Sequence, residues 1–306
     1  MARQNVLIAR ERRDLMDLMG SEPYKIPSRS VDENILIATW NIQAFSNRHS
    51  DRAIQYIADI CERFDIIAIQ EVKTDLRGLG RLQQKFPGNY KILVTDPTGN
   101  NERFAFLYDK RTVIQTGLAC EIGFDVPGKT HTGFQLHRMP YCVSFRAGRF
   151  DFVIVSAHIY YGKGADVKFR KREIKALVDF VHKRSRKERA KVFDRDFFVV
   201  GDFNIPDAGS EFFDALVSKG FKMPEDMDSL GTNFAGTKTY DKITWVQRKS
   251  FTFTGKFNTV PFGDVLFQEK KSRGAKKEIS DHRPLWAEFK VNKLTQELDQ
   301  IINRGW

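Results

Sequence analysis

Apolar runs too continuous for a half-exposed strand recur along this chain, and each closes on a polar side chain. The one with the most at its end is Asp196-Phe197-Phe198-Val199-Val200-Gly201-Asp202-Phe203-Asn204-Ile205. β-branched and aromatic residues without polar alternation predict a strand covered on both faces. Period-2 geometry predicts that Asp202 and Asn204 leave it on the same side. Ile35-Leu36-Ile37-Ala38-Thr39-Trp40-Asn41 repeats the pattern and ends in Asn41. Phe64-Asp65-Ile66-Ile67-Ala68-Ile69-Gln70-Glu71 ends in Glu71, and Phe152-Val153-Ile154-Val155-Ser156-Ala157-His158 ends in His158.

Ser50 and Asp51 offer an N-cap to a helix with Ile54, Ile57, Ala58 and Cys61 at helical spacing. With the usual right-handed crossover, this strand–helix–strand unit places Asn41 and Glu71 at one sheet edge. Residues 72–90 read as a loop and short helix, and 90–94, 102–108 and 113–120 as further strands. A turn at 128–131 precedes a strand over 138–146, with Pro140 near its start. Ser210 begins a short helix through Leu216, residues 220–237 are loop-like, and 239–245 is a strand carrying one acid. A hairpin is expected over 251–262, a lysine-rich loop over 269–278, and a last turn and strand over 280–289.

At the N-terminus, Val6, Leu7, Leu15, Leu18 and Met19 make a loose apolar helix face that Gly20-Ser21-Glu22-Pro23 stops. It packs on the main body or docks a partner. A helix is also expected over 294–302. The chain therefore divides into a helix and linker (1–33, the linker being 21–33), one main domain (34–291) and a terminal helix (292–306).

A chain of 306 residues, 41% of them hydrophobic, can bury a sizeable core. No run approaches the roughly 20 apolar residues that span a bilayer, so no membrane partner is expected. The first residues lack the apolar core and cleavage site of a signal peptide. Cys61, Cys120 and Cys142 show no CxxC spacing, which reads them as small core residues of a cytoplasmic protein. The net charge of +11 asks for an acidic partner, most commonly nucleic acid. A helix predicted over 166–191 turns Phe169, Ile174, Leu177, Val178 and Val181 inward. Its other face carries Lys168, Arg170, Lys171, Arg172, Lys175 and further basic residues; it is either a solvated face or one set toward phosphates.

Gathered at strand ends, Asn41, Glu71, His158, Asp202, Asn204, Asp281 and His282 offer carboxylate and amide oxygens that suit a hard cation better than zinc. Two histidines with acidic partners suit proton transfer near neutral pH. With the positive charge, this set points to metal-assisted hydrolysis of a phosphate ester.

Thr39-Trp40-Asn41, Gln70-Glu71, Ser156-Ala157-His158, Gly201-Asp202-Phe203-Asn204 and Ser280-Asp281-His282, in that order, resemble the endonuclease/exonuclease/phosphatase superfamily. The stretch around Glu102-Arg103 and Thr239-Tyr240-Asp241-Lys242-Ile243 resemble its deoxyribonuclease-I-like branch. The resemblance implies an α/β (α+β) four-layer sandwich, two mixed or antiparallel β-sheets packed face to face and flanked by helices. It implies that Glu102 orients His158, that Asp241 orients His282, and that Arg138 contacts the scissile phosphate. Glu71 and Asn41 would hold Mg²⁺ (Mn²⁺ as alternative), Asp281 would complete that site, and Asp202 and Asn204 would position phosphate and water.

Some features depart from relatives within the superfamily. The disulfides and signal peptide of secreted deoxyribonucleases are missing, as are the Leu-Asp-Tyr segment of abasic-site endonucleases and the Trp-Thr-Asp-Arg signature of inositol polyphosphate phosphatases. The expectation is a Mg²⁺-dependent nuclease, DNA favoured over RNA, with Arg103, Lys270, Lys271, Arg273 and Lys276 on the nucleic-acid backbone. The rivals are a phosphatase or phosphodiesterase of the same fold acting on a small molecule or lipid head group, and a non-catalytic nucleic-acid-binding module.

Overall fold

The computed structural model describes residues 2–124, 134–187, 196–207, 209–246, 251–270 and 274–292, together with Leu298 and Ile302. Helix α1 (Ala2–Gly20) comes first. Strand β1 (Asn34–Phe45) leads through α2 (Asp51–Cys61) to β2 (Ile66–Lys73), which pairs with β1 in parallel. The Ser50 hydroxyl caps α2 by accepting from Ala53 N at 3.2 Å. Helix α3 (Arg77–Gln83), β3 (Tyr90–Val94) and β4 (Glu102–Asp109) follow. Strands β5 (Ile114–Glu121), β6 (Tyr141–Ala147) and β7 (Phe150–His158) form an antiparallel meander. Helix α4 (Val167–Lys187) then crosses to β8 (Phe197–Asp202), parallel to β7. Helix α5 (Glu211–Val217), β9 (Phe221–Lys222), β10 (Asp241–Val246) and β11 (Thr252–Thr259) come next. Helix α6 (Gly274–Glu278) and β12 (Leu285–Lys290) end the sequence of elements.

Two six-stranded sheets result, ordered β11-β12-β1-β2-β4-β3 and β5-β6-β7-β8-β10-β9. Alternation explains why the apolar runs are unbroken. In β1, Ile35 and Ile37 face the other sheet, whereas Leu36, Ala38 and Trp40 join the layer of α1, α2 and α3. In β8, Phe198 and Val200 lie between the sheets, while Phe197 and Val199 meet α4 and α5. The order is helix, sheet, sheet, helix, as the resemblance implied. Aromatic rings fill the space between the sheets: Phe198 of one meets Phe289 of the other at 4.9 Å between ring centres, near the edge-to-face geometry that rings favour.

Several expectations change. Within residues 21–33, read as a linker, Ile26 is buried, and Arg29 donates to Phe64 O at 3.2 Å and Asp109 Oδ2 at 3.1 Å. On α4, Phe169 is 40% exposed and Arg170 only 5%, the reverse of the phase expected. Arg170 tolerates burial because its guanidinium donates to the carbonyls of Tyr161 and of Asn204 (2.7 Å). Glu173 is also buried, accepting from His137 N at 2.6 Å and Tyr160 N at 2.7 Å. Hydropathy spacing cannot register such tailored partners.

The expected hairpin at 251–262 is a single strand, β11, paired with β12 and shifted in register between Phe253 and Phe257. Gly255 lies inside the shift, where a glycine favours a bulge over a turn. The loop expected at 269–278 contains α6, and that at 220–237 contains β9 on the edge of β10. Cys61 and Cys142 are buried, but Cys120 is exposed on edge strand β5. The turn at 128–131, residues 188–191 of the long helix and most of 294–302 lie outside the described residues. Among the described residues no helix is long and apolar enough to cross a membrane.

Candidate active site

The carboxyl ends of two parallel pairs, β1–β2 and β7–β8, meet at one end of the sandwich. In β1–β2, Asn41 lies beside Gln70, and Glu71 sits at an irregularity where the register with β4 shifts between Ile69 and Val72. Its φ of 60° is rare for a non-glycine residue, and a bulge of this kind re-aims a side chain. In β7–β8, His158 is the register partner of Asp202, and on the other side of β8 Asp202 pairs with Asp241 of β10. Gly201 permits this approach: its φ is +136°, and a Cβ there would meet Ala157 O at 1.9 Å.

Asp202 is the hub. Its Oδ1 accepts from Asn204 N at 2.9 Å and its Oδ2 from Asn41 Nδ2 at 3.0 Å. The same Oδ2 stands 3.5 Å from His158 Nε2 and 3.9 Å from His282 Nε2. His282 Nδ1 lies 2.8 Å from Asp241 Oδ2, and Trp40 Nε1 donates to the His282 carbonyl at 2.9 Å. On the other flank His158 Nδ1 is 3.5 Å from Glu102 Oε2. Glu102 is held at both oxygens, by Arg138 Nε at 2.6 Å and Lys73 Nζ at 3.0 Å.

These surroundings drive the two imidazoles apart. Burial pushes His158 well below its ordinary value, and nearby Arg138, His282 and Lys73 push the same way. Burial also opposes charge on His282, but Asp241 and Asp202 outweigh it and lift the group to about 10. Burial raises Asp202 to about 6, with Asp241 adding to the rise and His282 opposing it. Neutral His158 and cationic His282 therefore coexist near pH 7.

Ligand atoms of Glu71, Glu102 and His158 lie within 4.8 Å of one another. Asn41 Nδ2 donates to Glu71 Oε1 at 3.0 Å, while Asn41 Oδ1 is buried without a hydrogen-bond partner. Among the described residues Glu71 accepts only from neutral donors, Asn41 and Ala44 N, whereas Glu102 already has two cations. A largely oxygen set with one uncompensated carboxylate fits a hard divalent cation. Beside His282 opens a groove of about 980 Å³ lined by Phe234, Tyr240, Lys276, Lys277 and Arg283 among others.

Eight of the expected residues thus converge: Asn41, Glu71, Glu102, Arg138, His158, Asp202, Asp241 and His282. Asn204 is adjacent, but β8 ends at Asp202 and Asn204 has φ 53°, so strand alternation no longer aims it. Its amide donates instead to Ile159 O at 2.7 Å. Asp281 stands apart from the Glu71 group, accepting from Gln43 Nε2 at 3.3 Å. Arg103 donates to Thr95 O at 2.5 Å, Lys270 to Glu278 at 2.5 Å, and Lys276 lines the groove. Lys271 and Arg273 lie outside the described residues.

Sequence reasoning gave no role to Lys73, Gln70 or Ser280. Gln70 bridges the sheets through Thr39 and Ser156, and Ser280 Oγ donates to Asn41 O at 2.6 Å while accepting from His282 N at 3.0 Å. The advance signal for Gln70 and Ser280 was their place beside the polar strand ends, inside the segments that carry the resemblance.

The model of the Endonuclease/Exonuclease/phosphatase family matches residues 38–282. Human deoxyribonuclease-1 is 35% identical over 85 residues, which is 24% of this chain and 30% of that enzyme, so the match spans under a third of the relative. Among solved structures, D. rerio TDP2 complexed with single-strand DNA product superposes with a TM-score of 0.60 at 15% identity, covering 84% of this chain and 99% of that one. The mannosyl-6-phosphatase of Bacteroides thetaiotaomicron gives 0.57 at 19% identity, covering 83% and 99%. At such identities these structures bear on the fold alone.

Proposed function

Because the chain belongs to the endonuclease/exonuclease/phosphatase family, we propose that it is a Mg²⁺-dependent nuclease that hydrolyses phosphodiester bonds of nucleic acid, DNA before RNA. The observation that carries this reading is one carboxylate, Asp202, shared by a neutral and a cationic histidine. Pairs of titratable groups pushed apart in this way divide acid and base work between them. Neutral His158 takes the proton of the attacking water at Nε2, on the side facing Asp202, while Glu102 stands at its Nδ1. Cationic His282, kept charged by Asp241, gives its proton to the leaving oxygen. Glu71 and Asn41, with Glu102 beside them, are the residues that would hold Mg²⁺. Such an ion, when bound, offsets charge developing on the phosphoryl oxygens.

A polymeric substrate is supported by what lies beyond the catalytic groups. The groove beside His282 offers Lys276, Lys277 and Arg283 for phosphates and Phe234 and Tyr240 for bases. α4 carries further exposed basic residues, Lys168, Arg172 and Lys175. The 35% identity to human deoxyribonuclease-1 over 85 residues agrees with it.

The test is digestion of closed circular duplex DNA with Mg²⁺ and with EDTA, alongside single-stranded circles, RNA and p-nitrophenyl phosphate. A His158→Ala preparation controls for contamination. Cleavage of a circle that disappears in the variant identifies an endonuclease. Phosphate released from the small ester with every polymer intact would replace this reading by the phosphatase.

A further inference from the structure

Away from the strand ends, β5 and β6 bring two thiols together. Cys120 and Cys142 are direct partners in the antiparallel ladder. Ile122 N donates to Pro140 O at 2.9 Å, which marks that pair as hydrogen-bonded. Two residues along the ladder, the cysteine pair occupies the same kind of position. Cα atoms there stand about 5.5 Å apart, inside the span of a disulfide. Directly opposed residues project on one face of the sheet. On that face a recess of about 160 Å³ is lined by both cysteines together with Leu118, Phe180 of α4 and Arg184 of α4.

The two sulfurs differ in access. Cys120 is exposed and Cys142 buried behind it. A hydrogen bond from Cys142 favours the Cys120 thiolate; burial opposes it and Arg184 assists, leaving the group at about 7. The same bond, with burial, pushes Cys142 up. An accessible thiolate with a second thiol in reach is the arrangement of an oxidisable pair.

We propose that Cys120 and Cys142 form a peroxide-reactive dithiol, with Cys120 the attacking sulfur and Cys142 the resolving one. The Cys120 thiolate attacks one peroxide oxygen; the O–O bond breaks, leaving hydroxide, which takes a proton to become water. Cys120 is then a sulfenic acid. The Cys142 sulfur attacks it, the S–S bond forms, the S–O bond breaks, and hydroxide leaves with the Cys142 proton as a second water. Two electrons pass from the thiols to the peroxide. This edge of the second sheet is separate from the catalytic cluster, so the inference does not depend on the proposed activity.

The folded full chain is treated with hydrogen peroxide, quenched, alkylated in denaturant, and examined by intact mass and peptide mapping. The expected product has lost about 2 Da, joins the Cys120 and Cys142 peptides, and reverts with dithiothreitol, while Cys61 stays alkylated. Cys142→Ser should leave Cys120 as a sulfenic acid that dimedone traps, and Cys120→Ser should abolish the cross-link. Cys120 is exposed, so its variant carries the test even if the buried serine of C142S prevents folding. Oxidation of Cys120 to the sulfinic acid with Cys142 still alkylated overturns the proposal, as does an unoxidised wild type or a cross-link surviving in C120S.

Discussion

His158 and His282 reach the same oxygen, Oδ2 of Asp202, at 3.5 and 3.9 Å, from different sides of the strand end. Their second ring nitrogens face opposite company. His158 Nδ1 looks onto Glu102, whose charge Arg138 and Lys73 already neutralise, while His282 Nδ1 meets Asp241, whose only salt bridge among the described residues is with that imidazole. Glu102 is ion-paired to two cations, and Asp241, among the described residues, to the imidazole. That difference separates the protonation states.

Replacing His158, His282 or Asp202 by alanine should lower cleavage by about 10²–10⁴-fold, the usual loss of a general acid or base. Far-ultraviolet circular dichroism should be unchanged. Near-normal turnover in any one variant removes that residue from the mechanism.

In EDTA-treated protein, His282 should remain an imidazolium and His158 neutral from pH 6 to 8, read from imidazole nitrogen shifts by NMR. For His282 the folded value lies above the ordinary one, so its pairing with Asp241 and Asp202 stabilises the fold fully below about pH 6.5. That contribution falls as pH rises toward about 10. A His282 signal titrating near 6.5 would undo the assignment of acid and base.

Asp109 sits under opposing effects: burial raises it, but Arg111, Asn89 and Arg29 lower it to about 2. A depressed acid contributes stability that is present above its unfolded value, near 3.9, and lost as pH falls toward the folded one. Asp109→Asn should therefore destabilise the protein at pH 7 by about 2 kcal/mol, with the penalty shrinking between pH 4 and about 2. Urea titrations at pH 7 and pH 3 measure both ends; an equal penalty at each would assign the effect to packing.

Gly201→Ala should cost about 2–5 kcal/mol, from a backbone angle only glycine adopts readily and a clash that moves the Ala157 carbonyl. Thermal unfolding reads this directly. A melting temperature within a degree of wild type would mean that β7 and β8 can separate there at no cost.

Replacing Lys276 and Lys277 by alanine should reduce the slope of log affinity against log salt on duplex DNA by about 0.9 per lost phosphate contact. Lys270→Ala should leave it unchanged, because Lys270 is already paired with Glu278. Equal slopes for all three lysines would make the groove an ordinary solvated surface.

The fold and much of the site were legible because buried strands leave strong local marks. Apolar runs ending in Asn41, Glu71, His158 and Asp202 named both the strands and the residues at their ends. The amphipathic phase of α4 was not legible at Phe169 and Arg170, because a buried guanidinium depends on carbonyls of Tyr161 and Asn204 supplied by other segments. Nor was α6, since five residues are too few to show a helical period.

By itself the sequence determined which stretches are covered on both faces and which polar groups stand at their ends, since both follow from residue order and the two-residue repeat of a strand. Only the tertiary structure decided that Lys73 and Arg138 would meet Glu102, that Asp241 would pair with His282, and that Cys120 would oppose Cys142. Those pairings join residues 22 or more positions apart, Lys73 with Glu102 and Cys120 with Cys142 through strand register and the others across elements that only the fold brings together. Protonation and reactivity depend on the charge and desolvation that such neighbours impose, and these arise only when the sheets close on one another.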